Sequence, residues 1–219
     1  MVNLFSDVTF FSIISNSERG DYIPLDLSIE SGYLSDPVLK DPLLMERYIN
    51  QFLKSKQKII AFGGYIEKRA LYERSDHFKS IDNQRNIHLG VDFWCEEESE
   101  VLCPLEGKIH GFKNNNNFGD YGPTIIIEHT TETTTFYTLY GHLSSNSIEG
   151  IVVGDSVKKG GAIAKIGGLN ENGNYAPHLH FQVILDIQDY EGDYPGVCSD
   201  SELAFYRENC PDPKNFLGL

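Results

Sequence analysis

The chain has 219 residues, 40% of them hydrophobic and 12% aromatic. That is enough to bury a full core as one main domain with appendages, and it excludes a disordered or collagen-like chain. The 18 basic and 32 acidic residues give a formal net charge of -14, which opposes adhesion to nucleic acid or to anionic lipid and leaves neutral or cationic partners.

No stretch approaches the roughly 20 apolar residues of a membrane span. The opening MVNLFSDVTFFSIISNSERG has no basic lead-in and no small-residue cleavage site, so no secretory signal is read there. A cytoplasmic location is therefore favoured over an exported one. Residues 1 to about 36 show no sustained period and read as an extended arm with a strand or two. From Asp41 to about Lys56, DPLLMERYINQFLKSK spaces Leu43, Leu44, Tyr48, Ile49 and Phe52 as an amphipathic helix, with Pro42 in its first turn. At Lys58 the texture changes to short β-rich runs separated by Gly, Asn and Pro turns.

Strands are expected at Val91–Cys95, Glu100–Cys103, Gly107–Phe112, Thr124–His129, Thr135–His142, Ala162–Ile166 and His178–Leu185, with Asn114–Gly122 as a loop. Several short strands at this spacing predict a mainly β fold, an antiparallel sandwich or open barrel, with a flanking N-terminal helix and a short C-terminal helix. Ser199 and Glu202 have capping-box spacing for that last helix, and Pro211 marks its exit. The organisation is an arm and helix over 1–58, a β body over 59–190 and a C-terminal extension over 191–219. The cysteines Cys95, Cys103, Cys198 and Cys210 form no CxxC pair and read as free structural thiols.

Strand alternation puts Leu179, Phe181, Val183 and Leu185 on one face of PHLHFQVIL, and His178, His180 and Gln182 on the other, away from the core. A second element, His88-Leu-Gly-Val-Asp92, offers an imidazole and a carboxylate, both suitable donors for zinc. Joined to the His178-Leu-His180 pair they supply a His, Asp, His set. Three protein donors with one open position characterise a catalytic zinc site, whereas structural sites fill all four positions, usually with thiolates. A third run, FYTLYGHLS, delivers His142 near its end. Metal-assisted hydrolysis needs a proton acceptor and a donor to the developing oxyanion, roles that His142 and the remaining His178 suit. No HExxH helix is present, so a glutamate-base mechanism has no support.

In order, HLGVD, CPLEG, YGPTIIIEH, TLYGHLS, VGDSVKKGGAIAKIG and PHLHFQV make residues 85 to 185 resemble the lysostaphin and LytM-type zinc metallopeptidases, bacterial enzymes that cut peptidoglycan peptides. The resemblance implies a LytM-like duplicated-hybrid-motif fold with a groove. It implies one zinc ion on His88, Asp92 and His180, and catalytic roles for His142 and His178. It also implies a peptide substrate, murein-derived by analogy. The flanks GGYIEKRALYERS and EGDYPGVCS with CPDP are similar to a subgroup in which this domain is also fused to phosphotransferase-like, aminotransferase or transporter modules. Two alternatives stay open beside the endopeptidase: a noncatalytic zinc-holding scaffold, and a hydrolase of a small nonpeptide amide.

Among the remaining residues, His129 is expected to make structural hydrogen bonds, and His77 and His110 to be ordinary polar positions. Tyr140 shares the parity of His142, so it either touches substrate or packs. Arg69, Tyr72 and Arg74 read as a solvated, charge-paired stretch, with reception of a substrate carboxylate as the competing role.

Overall fold

The computed structural model describes residues 9–32, 36–75, 78 and 84–219. Helix α1 covers Asp36–Lys40 and α2 covers Pro42–Lys56. The latter begins as its residues dictate: Pro42 sits at the start, and the Asp41 carboxylate accepts from the Leu43 and Leu44 amides. Its buried stripe is Met45, Ile49 and Leu53, a clean i, i+4, i+8 row, while Leu43 is 52% exposed and drops out of the expected set. That row packs with Leu25, Ala61, Trp94 and Ala176.

The main sheet has eight strands: β1 (Tyr22–Pro24), β2 (Ile60–Gly63), β5 (Val91–Trp94), β12 (His178–Ile184), β9 (Thr135–Gly141), β8 (Gly122–Thr130), β7 (Gly107–Asn115) and β10 (Ser156–Val157), hydrogen-bonded in that order. Among the described residues only the β1–β2 pair of this sheet is parallel; the other neighbours run antiparallel. Two small sheets complete the β structure, β6 (Glu100–Leu102) with β11 (Ala162–Lys165), and β3 (Glu67–Lys68), β4 (Ile87–His88) and β13 (Val197–Cys198). The chain ends in α3 (Leu203–Asn209) and α4 (Pro213–Leu217).

Both faces of the main sheet are covered. Val91, Phe93, Ile125, Ile127, Leu179, Phe181 and Val183 meet Val101 and Ala164 of the β6–β11 sheet on one side. Ile126, Leu139 and Ile184 meet Tyr121, Tyr194 and Cys210 on the other. Tyr140, with no exposed surface, belongs to the first cluster and accepts from Thr138 Oγ1 at 3.1 Å, so it packs and does not reach a groove.

Three local expectations change. Strand β7 runs on to Asn115, which pairs with Gly122, and the Asn115 amide, nearly fully buried, donates to Thr124 Oγ1 and the Gly192 carbonyl. Buried satisfaction of its side chain overrides the turn preference of an Asn run. Ser199 does hydrogen-bond Glu202, but the contact closes a turn ahead of α3, whose N-cap is Glu202 itself with no side-chain cap. The sequence after Pro211 re-enters a helix, α4, capped by Asp212. All four cysteines are free thiols, and no helix among the described residues is long and apolar enough to cross a membrane.

Candidate metal centre

Antiparallel register does most of the assembly. In β12 and β5, His180 lies directly opposite Asp92 and His178 opposite Trp94, while His180 faces Gly141 of β9 on its other side. Cross-strand partners on one face stand about 4.5–5.5 Å apart at Cβ, so pairing alone brings carboxylate and imidazole together. His88 joins them over the short turn between β4 and β5. Gly90 in that turn admits the approach: a Cβ there would sit 2.7 Å from the His180 ring and from the Phe181 carbonyl oxygen.

The result is one compact polar cluster. His88 Nε2 is 2.8 Å from His180 Nδ1, and each is 3.2 Å from Asp92 Oδ1. All three residues are buried, and their donor atoms lie within 4.8 Å of one another, close enough to share a metal ion.

The chemistry of the donor set fits a cation. The remaining ring nitrogen of His88, Nδ1, donates to the Gly64 carbonyl at 2.9 Å, which leaves Nε2 as a lone pair. Gln182 Nε2 donates to the Pro195 carbonyl at 3.1 Å, so its Oε1 faces His180 Nε2 at 3.0 Å and must accept from it. That leaves His180 Nδ1 as a lone pair too. Two imidazole lone pairs and one carboxylate oxygen thus converge with no hydrogen between them, an arrangement that repels itself until a positive ion sits inside.

The other carboxylate oxygen is occupied. Arg69 donates from Nη1 to Asp92 Oδ2 and from Nε to Glu67 Oε1, each at 2.5 Å, and its side chain is 2% exposed. The expected solvated, charge-paired stretch is therefore paired but buried, with Arg69 over the Trp94 ring at 5.5 Å and Tyr72 stacked on His88 at 6.4 Å. Burial alone would raise the Asp92 carboxyl, but His88 and Arg69 beside it hold it well below the usual carboxylate range. Burial lowers His88 to about 3, against the pull of Asp92, so its ring is neutral at ordinary pH.

Two further imidazoles share the enclosure. His142 and His178 have ring centroids 4.2 Å apart, and His178 Nε2 is 3.8 Å from Asp92 Oδ1. Each is tied back through Nδ1 at 2.7 Å, His142 to the Asn172 carbonyl and His178 to the Ala176 carbonyl. Both therefore keep Nε2 as an acceptor. Burial holds both below the usual histidine range, reinforced at His142 by the neighbouring His178 and His180. His142 adopts a left-handed backbone (φ 63°), with its amide bonded to the Tyr121 carbonyl and its own carbonyl accepting from Gly167. Such a conformation is costly for a non-glycine residue and persists only where surroundings enforce it.

All five of these side chains border one cavity of about 240 Å³, whose wall also includes Tyr121, Tyr175, Arg74 and Trp94. The five residues singled out in the sequence thus come together. The face of β12 carrying the histidines, expected to lie away from the core, is nonetheless fully buried, because residues 69–75 and 190–197 cover it. His129 lies elsewhere and is structural, bonded to the Glu106 carbonyl and Thr138 Oγ1. His110 bonds the Tyr190 carbonyl at 3.2 Å. His77 falls outside the described residues.

A mainly antiparallel β protein with a buried His, Asp, His group and two more imidazoles facing the same cavity defines the class. Residues 86–191, a little under half of the chain, match the model of peptidase family M23. Similar solved structures include the catalytic domain of the antimicrobial peptidase lysostaphin from Staphylococcus simulans, at 26% identity over 61% of this chain and 81% of that one (TM-score 0.41). LytU is 25% identical over 60% of this chain and 72% of its own (TM-score 0.41). A variant catalytic domain of the prophage-encoded M23 protein EnpA from Enterococcus faecalis is 19% identical over 56% and 88% (TM-score 0.39). No curated protein matches the chain.

Proposed function

We propose that this protein is a zinc metalloendopeptidase that hydrolyses an amide bond in peptidoglycan-type peptides, holding one ion on His88 Nε2, Asp92 Oδ1 and His180 Nδ1. The observation that carries the proposal is the convergence of three acceptor atoms with no donor hydrogen between them, in a cavity that two additional imidazoles also face. The match of residues 86–191 to the M23 peptidases, a zinc-dependent family, supports the metal and the reaction class. Zinc bound there would supply a Lewis acid for the scissile carbonyl and a water acidified towards neutrality.

The protein's own groups do the rest. His142 and His178, neutral and anchored at Nδ1, present Nε2 to accept a proton, and once protonated either can donate to the developing oxyanion or to the leaving amine. Arg69 keeps Asp92 Oδ2 engaged, so Oδ1 is the carboxylate oxygen that would be left to hold an ion. Gln182 fixes which nitrogen of His180 carries its proton. Against a noncatalytic scaffold stands the donor count: among the described residues three side chains form the group, and the cavity borders all of them.

The test pairs two substitutions with metal analysis and mass spectrometry of products from purified murein and defined peptides. His180→Ala should lose both zinc and hydrolysis. His142→Ala should retain stoichiometric zinc while turnover falls by at least about a hundredfold, the lower end of what general acid–base groups contribute. Wild-type turnover in His142→Ala, or full zinc occupancy in His180→Ala, would overturn the assignment.

A further inference from the structure

Arg74 closes the turn Ala70–Arg74 and borders the same cavity as the five imidazole and carboxylate groups. Its guanidinium lies 4.3 Å from the Tyr175 ring centroid and 5.3 Å from that of Phe118. Nη2 donates to the Asn174 carbonyl, while Nε is buried with no hydrogen-bond partner. No carboxylate among the described residues forms an ion pair with it. Arg69, five residues earlier, shows the contrast, since Asp92 and Glu67 neutralise it. A buried N–H without an acceptor is destabilising unless a ligand brings one.

Tyr175 connects this cation to the reacting end of the cavity. The same ring stands edge-on to His142 at 5.0 Å and to His178 at 5.8 Å. The guanidinium is therefore one aromatic ring away from both imidazoles, a span of no more than about three extended residues at ~3.3–3.6 Å each. Arginine presents a planar fork suited to carboxylate oxygens, and contact with the Tyr175 and Phe118 rings restricts how that fork can turn.

We infer that Arg74 forms a carboxylate-binding subsite, receiving an acidic group carried by the peptide within two or three residues of the bond presented to His142 and His178. The inference rests on the peptidase reading and adds to it a substrate class, peptides with an acidic end or acidic side chain next to the cleaved bond. The sequence offered this role to Arg69, Tyr72 and Arg74 together; the ion pairs of Arg69 leave it to Arg74.

Three pools of N-acetylated tripeptides test it on the zinc-loaded protein: Gly, Ala and Gln tripeptides with free carboxylates, the same pool as C-terminal amides, and the amide pool with Gln replaced by Glu. Binding is read from Trp94, the single tryptophan, which borders the cavity and stacks on the His178 ring at 5.9 Å. Cleavage is read by mass spectrometry. The wild type should bind at least one carboxylate pool about tenfold more tightly than the plain amides, and which pool it prefers separates a terminal from a side-chain carboxylate. In Arg74→Gln the preference should collapse, with KM rising about tenfold and kcat changing less than about threefold, and Arg74→Lys should recover part of the affinity. Equal binding of the three pools by the wild type, binding of none, or a preference that survives in Arg74→Gln would overturn the subsite. If Arg74→Gln melts early, the acid and amide pools on the wild type still decide. Cleavage without carboxylate preference removes the subsite and leaves the peptidase reading standing, whereas carboxylate-dependent quenching with no cleavage of any pool does the reverse.

Discussion

Gln182→Met is the substitution that most directly tests how the centre is organised. Gln182 has no exposed surface; it accepts from His180 Nε2 at 3.0 Å and donates to the Pro195 carbonyl at 3.1 Å and to Cys210 Sγ at 3.3 Å. Methionine keeps the length and the burial but removes both polar atoms. The Pro195 carbonyl and the His180 N–H then lose their partners, and each buried group left unsatisfied costs about 1–3 kcal/mol. The Tyr121 hydroxyl, 3.5 Å from the same His180 nitrogen, is placed to accept in place of the amide, so the expected loss of stability is about 2–4 kcal/mol. For a protein of this size that lowers Tm by roughly 5–15 °C. Loss of the partner that orients a metal-binding imidazole weakens metal by about 10- to 100-fold, and the substitute hydroxyl puts the expected value near tenfold, about 1.4 kcal/mol. Competition against a chromophoric chelator measures that constant, and differential scanning calorimetry measures the stability. Gln182→Glu is the control: its carboxylate still accepts from His180 but cannot donate to Pro195, so stability should fall while zinc affinity stays within about threefold of wild type. Wild-type zinc affinity in a folded Gln182→Met protein would refute the claim that this amide sets the tautomer of His180.

Two other substitutions probe packing and protonation. Gly90→Ala places a methyl 2.7 Å from the His180 ring and from the Phe181 carbonyl; overpacking of this kind costs about 1–3 kcal/mol, so calorimetry should show a lower Tm and chelator competition a weaker zinc site, and no change in either would contradict the close approach. His129 is held below its usual value of 6.5 by burial. The unfolded chain therefore binds its proton first as pH falls, and the native state loses stability on going from above pH 6.5 to below it. Urea unfolding of wild type and His129→Gln at pH 7.5 and 5.5 should give a smaller pH dependence in the variant; an unchanged difference would show that His129 titrates alike folded and unfolded.

Much of the centre was legible because its spacing is local. His178, His180 and Gln182 share parity on one strand, and His88 and Asp92 lie four residues apart across a turn, so both halves are visible without any tertiary information. Their convergence is a matter of register between β5 and β12, which two alternating patterns suggest but do not fix. The burial of the histidine face was not legible. A strand with one apolar and one polar face predicts a solvated side, and only the covering segments at 69–75 and 190–197 close it. The partners of Arg69 were equally hidden, since Asp92 lies 23 residues away in the sequence and a charged run reads as solvent-facing until such a pair is seen. In α2 the apolar count named the helix correctly, yet Leu43 proved exposed and Met45 buried, because the packing surface selects one row from a wider stripe.

Strand β12 is flanked by partners on both sides, β5 and β9, so the backbone beneath His178 and His180 has few ways to open except by global unfolding. In native-state hydrogen exchange such a central strand belongs to the most slowly exchanging amides of a domain. The floor of the cavity is thus held from both sides, and yielding that admits a bulky chain is left to the turns and loops that roof it.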